Sequence, residues 1–244
     1  MFMRILTSAL FAGVLAGIIA AVLQLYFIQP TLLHAELYES AQLVHFGTEN
    51  SAPANGTSGQ ESAHQMAAES SAGDAEGESA LARNALTVLF TILVYSGYGL
   101  ILAAAMAFAH ERGLQINTRQ GLLWGIAGFI TVQFAPAFGL APEVPGVSAA
   151  DVFDRQIWWA VTAVATAIAL WLIAFSSQWL TWFAAIILLL APHIVGAPQP
   201  DGFAGLVPPE LAATFASRAL GVGLMAWAML GVGVAYFWQR AEAD

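Results

Sequence analysis

The stretch from Arg4 to Pro30, "RILTSALFAGVLAGIIAAVLQLYFIQP", decides the class of this protein. Residues 5–28 within it carry no charged side chain. A helix needs about 17–25 apolar residues to cross a lipid bilayer, so this segment is long enough to span one. The apolar region of a secretory signal peptide is shorter, about 7–15 residues. We therefore predict that residues 5–28 form an uncleaved first transmembrane helix.

Five further segments share the length and the lack of charge of the first: 85–109, 121–138, 157–175, 179–195 and 219–238. The 244-residue chain has a mean hydropathy of +0.70 and only 9 % charged residues, whereas a soluble domain carries about 25 %. We predict an all-α polytopic membrane protein, a single membrane domain of about six spans arranged as three hairpins. Because only three residues separate the fourth and fifth segments, a merged or half-inserted fifth segment stays open.

The arginines predict the orientation of the spans, since the chain contains no lysine. Four arginines lie at the N-terminus, in the second connection and at the C-terminus: Arg4, Arg112, Arg119 and Arg240. The positive-inside rule places these in the cytoplasm, together with both termini. The other three precede even-numbered spans on the opposite, outer side: Arg83, Arg155 and Arg218. Thirteen of the sixteen acids share that outer side.

The connection after the first span has two parts of different composition. Residues 31–46, "TLLHAELYESAQLVHF", place apolar side chains at helical spacing, which predicts a short amphipathic helix along the outer membrane surface. Residues 47–80 contain no Val, Ile, Leu, Phe, Trp or Tyr. Such a segment cannot bury enough apolar surface to offset its ordering entropy, so we predict a disordered acidic outer loop there.

A proline closes each odd-numbered span, in "FIQP", "QFAP" and "LLAP". Proline lacks a backbone donor and ends a helix, and the carbonyls that it frees must face protein or a water-filled cavity. The stretches "FAPAFGLAPEVPG" (134–146) and "LAPHIVGAPQPDG" (190–202) repeat one Pro/Gly pattern, once with Glu143 and once with His193. This predicts a common outer vestibule faced by both residues. The equally weighted alternative is that Pro and Gly merely end helices at the surface.

Several classes of chemistry find no support in the sequence. No predicted span contains a charged residue, which argues against a proton relay or an intramembrane aspartyl protease. The absence of cysteine excludes thiolate chemistry, and neither a phosphate-binding loop nor a Gly-x-Ser-x-Gly motif occurs. We predict that the protein is not an enzyme and carries no cofactor. A porphyrin- or corrinoid-related membrane enzyme using His193 is a weaker alternative.

Histidine and carboxylate side chains gather at the predicted outer ends of the spans. A divalent ion such as Co²⁺ or Ni²⁺ accepts imidazole nitrogen and carboxylate oxygen together. The predicted metal ligands are five: His193, Glu143, His34, Glu36 and Glu39. His45 would lie about 16 Å from His34 along one helix, which is too far to share an ion. A lone histidine in an outer loop is more often a surface or capping residue.

Three polar groups are predicted to support this site. Arg155 either pairs with an outer carboxylate such as Glu143 or anchors its span at the interface. Gln24 and Gln133 either line a path or bond across helices, and the second role is commoner. Trp158 and Trp159 are typical of an aromatic belt, and the Gly-x-x-x-Gly motifs at 13–17 and 121–125 are typical of close helix packing.

The stretches "QPTLLHAELYE", "GLAPEVPG" followed by "RQIWW", and "PHIVGAP" resemble CbtA, a family of predicted cobalt transporter subunits. The resemblance covers the chain outside residues 47–80. It implies a bacterial inner (plasma) membrane protein associated with cobalamin physiology and cobalt uptake, and a small single-span, histidine-bearing partner protein. Members of that family often carry a histidine-rich outer loop, whereas this loop contains only His64.

Together these features predict a permease subunit that passes a divalent metal ion, Co²⁺ or Ni²⁺, across the bilayer from an outer vestibule. The alternative function is a membrane assembly or scaffold subunit that moves nothing itself. Nothing in the charge pattern, acidic and free of lysine, indicates a nucleic-acid partner.

Overall fold

The computed structural model of the protein describes residues 2–43 and 65–243. Within these ranges the regular structure is helical, apart from an isolated β-bridge between Val147 and Gly205. The predicted all-α class is confirmed.

The helices follow one another in two continuous runs and four separate elements. Helix α1 (Phe2–Leu23) passes through a first π turn (Gln24–Ile28) into α2 (Gln29–Glu39), and α3 (Gln65–His110) follows. Helix α4 (Thr118–Phe129) passes through a second π turn (Ile130–Phe134) into α5 (Ala135–Ala137). The last three helices are α6 (Val152–Phe175), α7 (Trp179–Val195) and α8 (Pro209–Ala243). Each of the six predicted spans falls on one of these helical runs.

Among the described residues, four helices are long and apolar enough to cross a membrane: Ile5–Glu39, Ala80–His110, Val152–Phe175 and Pro209–Ala241. Helix α7 is a shorter apolar helix of 17 residues, and α4 alone has 12. Helices α6 and α7 are separated by extended backbone at Ser176, so the fourth and fifth segments are not merged. Crossing of the bilayer by α7 and by the α4–α5 run stays a prediction.

The N-terminal part of α3 differs from the disorder predicted for residues 47–80. The helix begins at Gln65, so residues 65–80 are helical. The prediction considered only the apolar surface available for burial. This segment is rich in Ala and Glu, which favour helix, and it extends a helix already nucleated in the span. Residues 47–64, including His64, lie outside the described residues, as does His45.

The three prolines lie inside helical segments, so the prediction that a span ends at each of them is wrong. Pro30 occupies the first turn of α2, Pro136 lies in α5, and Pro192 lies within α7. A π turn ends two residues before each of the first two. The wider π turn takes up the change in hydrogen bonding that arises because proline has no N–H, so the helix continues past it.

Helices α1, α3, α4 and α8 form the central bundle, where small residues allow close contact. A Cβ atom added to Gly13 or Gly17 would lie 2.5 or 2.6 Å from a Cα atom of α3. On the other side, Gly121 and Gly125 of α4 lie directly against Gly231 of α8. The predicted packing role of both Gly-x-x-x-Gly motifs is confirmed. The largest fully buried side chains of this core are Trp238, Met106, Leu230 and Val234.

The remaining two helices form a pair beside this bundle. Helix α7 packs along α6, and α6 contacts the second π turn and α5. Helix α4 packs chiefly along α8 rather than along its neighbour in sequence, α6. The predicted pairing of consecutive spans is therefore observed for α1 with α3. Helix α4 instead pairs with α8, where its glycines allow close contact.

The three prolines lie at one end of the molecule, which we call the proline end. The loops 138–151 and 196–208 pair there, because Ser148 donates from its backbone nitrogen to the Ala204 carbonyl at 2.8 Å and from its hydroxyl to the Gly202 carbonyl at 2.9 Å. A small apolar core of Ala35, Val144 and Val207 ties α2 to both loops. The two loops that carry the repeated Pro/Gly pattern therefore form one corner of the fold.

Candidate functional site

Two adjacent tryptophans at the start of α6 bind the backbone of both Pro/Gly hinges. The indole nitrogen of Trp159 donates to the carbonyl of Val132 at 3.1 Å. In an α-helix that carbonyl would accept from residue 136, where proline has no N–H. The indole of Trp158, which is buried, donates to the carbonyl of Pro192 at 3.2 Å. The aromatic-belt interpretation of Trp158 is therefore wrong, because its ring lies between the hinges.

Three arginines, each ahead of a returning span, bind groups at the proline end. Arg155 donates to Glu143 at 2.7 Å, which decides in favour of the predicted ion pair. Arg83 lies 3.7 Å from Glu36. Arg218 donates to the Thr31 hydroxyl at 2.6 Å and to the carbonyl of Phe27 in the first π turn at 3.2 Å. The arginines therefore pair with two carboxylates of the proline end and donate to a hydroxyl and a backbone carbonyl there.

A cavity of about 430 Å³ opens at the proline end between the α4–α5 run, α6 and residues Ala219 and Leu220 of α8. Its polar lining side chains are Gln133, Glu143, Arg155 and Gln156, and its apolar lining includes Pro136 and Trp159. The Glu143–Arg155 pair is partly exposed, with 35 % and 28 % of the two side chains accessible. The wall of this cavity is therefore mostly apolar, and the two charges on it compensate each other.

The two glutamines singled out from the sequence, Gln24 and Gln133, differ in the hydrogen bonds of their side chains. The amide oxygen of Gln24, in the first π turn, accepts from the Thr91 hydroxyl of α3 at 2.8 Å. The amide oxygen of Gln133, in the second π turn, is buried and has no hydrogen-bond partner within the described residues. Gln24 is therefore confirmed as a hydrogen-bonded link between helices, whereas Gln133 contributes to the cavity lining while its buried amide oxygen packs against Gly223 of α8.

His193 lies near, but not in, the lining of that cavity. Its imidazole is half-buried between two aromatic rings, with centroids 5.9 Å from Phe138 and 5.9 Å from Trp158. Trp158 also lines a second, mostly apolar cavity of about 580 Å³ between α6 and α7. Glu143 and His193 thus belong to one corner of the fold. However, His193 does not line the cavity that Glu143 lines.

The predicted ligands on α2 do not converge. His34 is exposed and contacts Tyr38, at a ring separation of 5.6 Å. Glu36 is the partner of Arg83, and Glu39 lies beside Gly146 of the first hinge loop. In the parts of the chain that the structure describes, no group of three or more His, Asp or Glu side chains is placed to hold one metal ion.

Several residues of this region were not singled out from the sequence. Thr91, Tyr95 and Tyr98 lie on α3 at helical spacing within a charge-free span, and that spacing was a usable signal. Arg218 and Gly223 of α8 gave no comparable signal, because their roles depend on which helix lies opposite. The π turns are likewise a product of packing and proline position rather than of a recognised motif.

The fold defines a polytopic α-helical membrane protein, and a cavity with one ion pair on its wall opens at one end of its bundle. Residues 2–239 match the family described as probable cobalt transporter subunit (CbtA). The chain therefore belongs to this family, and it is a membrane subunit of a metal-uptake system. No curated protein and no solved structure gives a significant match.

Proposed function

We propose that this protein is itself the permease for a divalent transition-metal ion, with Co²⁺ the first candidate and Ni²⁺ the second. In this proposal the proline end faces the outside of a bacterial inner membrane, and both termini lie in the cytoplasm. The arginine distribution supports that orientation. The family description supports the choice of ion.

The cavity at the proline end is the observation that carries the proposal. It combines a carboxylate, Glu143, with amide groups and with open access from one end of the bundle. An arriving cation competes with Arg155 for that carboxylate. Exposed ion pairs contribute only about 0.2–1 kcal/mol, so a divalent ion can displace the arginine without a large penalty.

Glu143 provides the first test of this entry site. We expect Glu143→Gln to raise the Co²⁺ concentration for half-maximal uptake about fivefold, because loss of one charge contact removes about 1 kcal/mol. The measurement is Co²⁺ uptake by proteoliposomes containing the full chain, with each variant's amount in the vesicle quantified.

Glu210→Gln is the matched control, since Glu210 is an exposed carboxylate at the start of α8 that does not line the cavity. Its uptake curve should coincide with that of the unmodified chain. An equal effect of both substitutions would mean that general surface charge, rather than the cavity, attracts the ion.

His193 and the α2 residues His34, Glu36 and Glu39 are proposed as separate outer positions that a metal ion visits, rather than as one closed cage. A small single-span protein bearing histidines is the proposed partner. Its histidines would complete the incomplete ligand sets of this chain. The surrounding lipid bilayer covers the exposed apolar faces of the helices.

A membrane scaffold is the second candidate, and the lack of a three-ligand group in the described residues favours it. A scaffold would hold a partner in the membrane and leave transport to that partner. Reconstitution separates the two candidates. A permease moves Co²⁺ in vesicles that contain this chain, and a scaffold moves none unless a second protein supplies the path.

A further inference from the structure

Helices α6 and α7 form a groove that the central bundle does not line. It is the mostly apolar cavity of about 580 Å³, and α6, α7 and the loop after α7 supply all of its lining residues. Toward the opposite end of the pair the two helices lie close together, since Ala169 and Ala185 are fully buried. Toward the proline end Ala191 and Val195 are exposed, so the helices diverge there and the groove opens sideways.

The groove has the depth of one leaflet of a bilayer. Helix α6 is long and apolar enough to span, and its lining residues run from Asp154 in the first turn to Ala165. That part of the helix is about 16 Å long, and half of a hydrocarbon core about 30 Å thick is about 15 Å. Because exposed apolar side chains such as Ile157 and Val161 line this length, the groove faces lipid rather than water.

The mouth of the groove at the proline end is negative. Asp154 is the one charged residue of the lining, it is exposed, and no cation among the described residues forms an ion pair with it. The neighbouring Arg155 pairs instead with Glu143 in the other cavity. Helix α7 ends at Val195 beside the same mouth, and a helix C-terminus carries a partial negative charge and carbonyls without intrahelical donors. The mouth therefore offers oxygen acceptors to a cationic group and repels an anionic one.

We propose that this groove binds one phospholipid with a primary ammonium headgroup, of the phosphatidylethanolamine class, with an acyl chain between α6 and α7 and the ammonium at Asp154. An acyl chain matches the length and the apolar lining of the groove. A primary ammonium, like that of lysine, has three N–H donors for the carboxylate and the helix carbonyls. The quaternary ammonium of phosphatidylcholine has none, and the headgroup of phosphatidylglycerol carries no cation. The site is separate from the ion cavity and does not depend on the proposed transport.

The headgroup preference is measured on the purified full chain in detergent. Phosphatidylethanolamine, phosphatidylcholine and phosphatidylglycerol with identical acyl chains are titrated separately, and bound lipid is counted by mass spectrometry of the intact protein. We expect one saturable phosphatidylethanolamine per chain, with a dissociation constant about fivefold below those of the other two lipids. Equal affinities for the three lipids, or no saturable binding because a helix of another protein is the natural occupant, would overturn the proposal.

Two pairs of variants locate the site. Ala191→Trp fills the groove and should abolish saturable binding, whereas Ala184→Trp places the same ring at an exposed position of α7 outside the lining and should bind like the unmodified chain. Asp154→Asn should raise the dissociation constant for phosphatidylethanolamine about fivefold and remove its advantage over phosphatidylcholine. Its control is Asp201→Asn, at an exposed carboxylate in the loop after α7 that does not line the groove.

Equal binding by Ala191→Trp and Ala184→Trp would place the lipid elsewhere and overturn the proposal. A preference for phosphatidylethanolamine that survives Asp154→Asn, or that Asp201→Asn reduces as strongly, would overturn it too. Because Asp154 is exposed, its replacement tests the site even where Ala191→Trp fails to fold.

Discussion

At the scale of single residues, two indole N–H groups bind the backbone of the corner that the two Pro/Gly loops form. Trp159 supplies the donor that Pro136 cannot offer to the Val132 carbonyl, and Trp158 reaches the Pro192 carbonyl. Lipid offers no donor to a freed carbonyl, so such backbone needs a protein partner. The adjacent tryptophans therefore make the repeated proline hinge compatible with a membrane environment.

Trp159→Phe removes the donor and keeps most of the ring. We expect it to reduce the free energy of unfolding by about 1–3 kcal/mol, because the Val132 carbonyl loses its partner. The measurement is reversible unfolding in mixed micelles. Trp179→Phe is the matched control, since Trp179 begins α7 and is 80 % exposed. Similar losses for the two variants would contradict a specific role for the Trp159 hydrogen bond.

At the scale of elements, two helix pairs of the bundle are built alike. Helix α1 places glycines against α3, and α4 places glycines against α8. Helices α1 and α4 each then widen into a π turn, followed two residues later by a proline. The pairing of α4 with α8, rather than with α6, brings the side chain of Gln133 against Gly223.

Gly125→Ala tests this element packing. The added methyl group would collide with the Trp227 carbonyl and lie 3.2 Å from the Ala228 Cα atom. Overpacking of this kind costs about 1–3 kcal/mol, so we expect a lower midpoint of thermal unfolding in detergent.

The same change at Gly221 of α8 is the control, since a Cβ atom there meets nothing within 4 Å. Gly221→Ala should leave the midpoint unchanged or raise it, because alanine favours helix over glycine by about 1 kcal/mol. A fall in the midpoint of Gly221→Ala as large as that of Gly125→Ala would mean that close approach of α4 and α8 is not the cause.

At the scale of the whole molecule, the sequence predicts the membrane class well because bilayer thickness and charge cost act on each segment separately. The six helical segments were predictable for that reason, and so was the Arg155–Glu143 pair, because Glu143 lies in the loop directly before the helix that carries Arg155. The roles of Arg218 and Gly223 were not, since they depend on contacts between distant helices. The helix at residues 65–80 does not follow from burial, because this segment contributes little apolar surface and continues a helix that begins in the adjoining span.

The most direct test of the central claim, that a cation enters through the cavity at the proline end, is thiol labelling from outside. The chain has no cysteine, so an introduced thiol is the only one that this protein offers to the reagent. We compare Ala141→Cys, in the cavity lining, with Glu111→Cys after α3 at the opposite end. A membrane-impermeant reagent added outside intact cells should label Ala141→Cys and block its Co²⁺ uptake, and should leave Glu111→Cys unlabelled and active. Labelling of Ala141→Cys without loss of uptake, or labelling of Glu111→Cys from outside, would contradict the account.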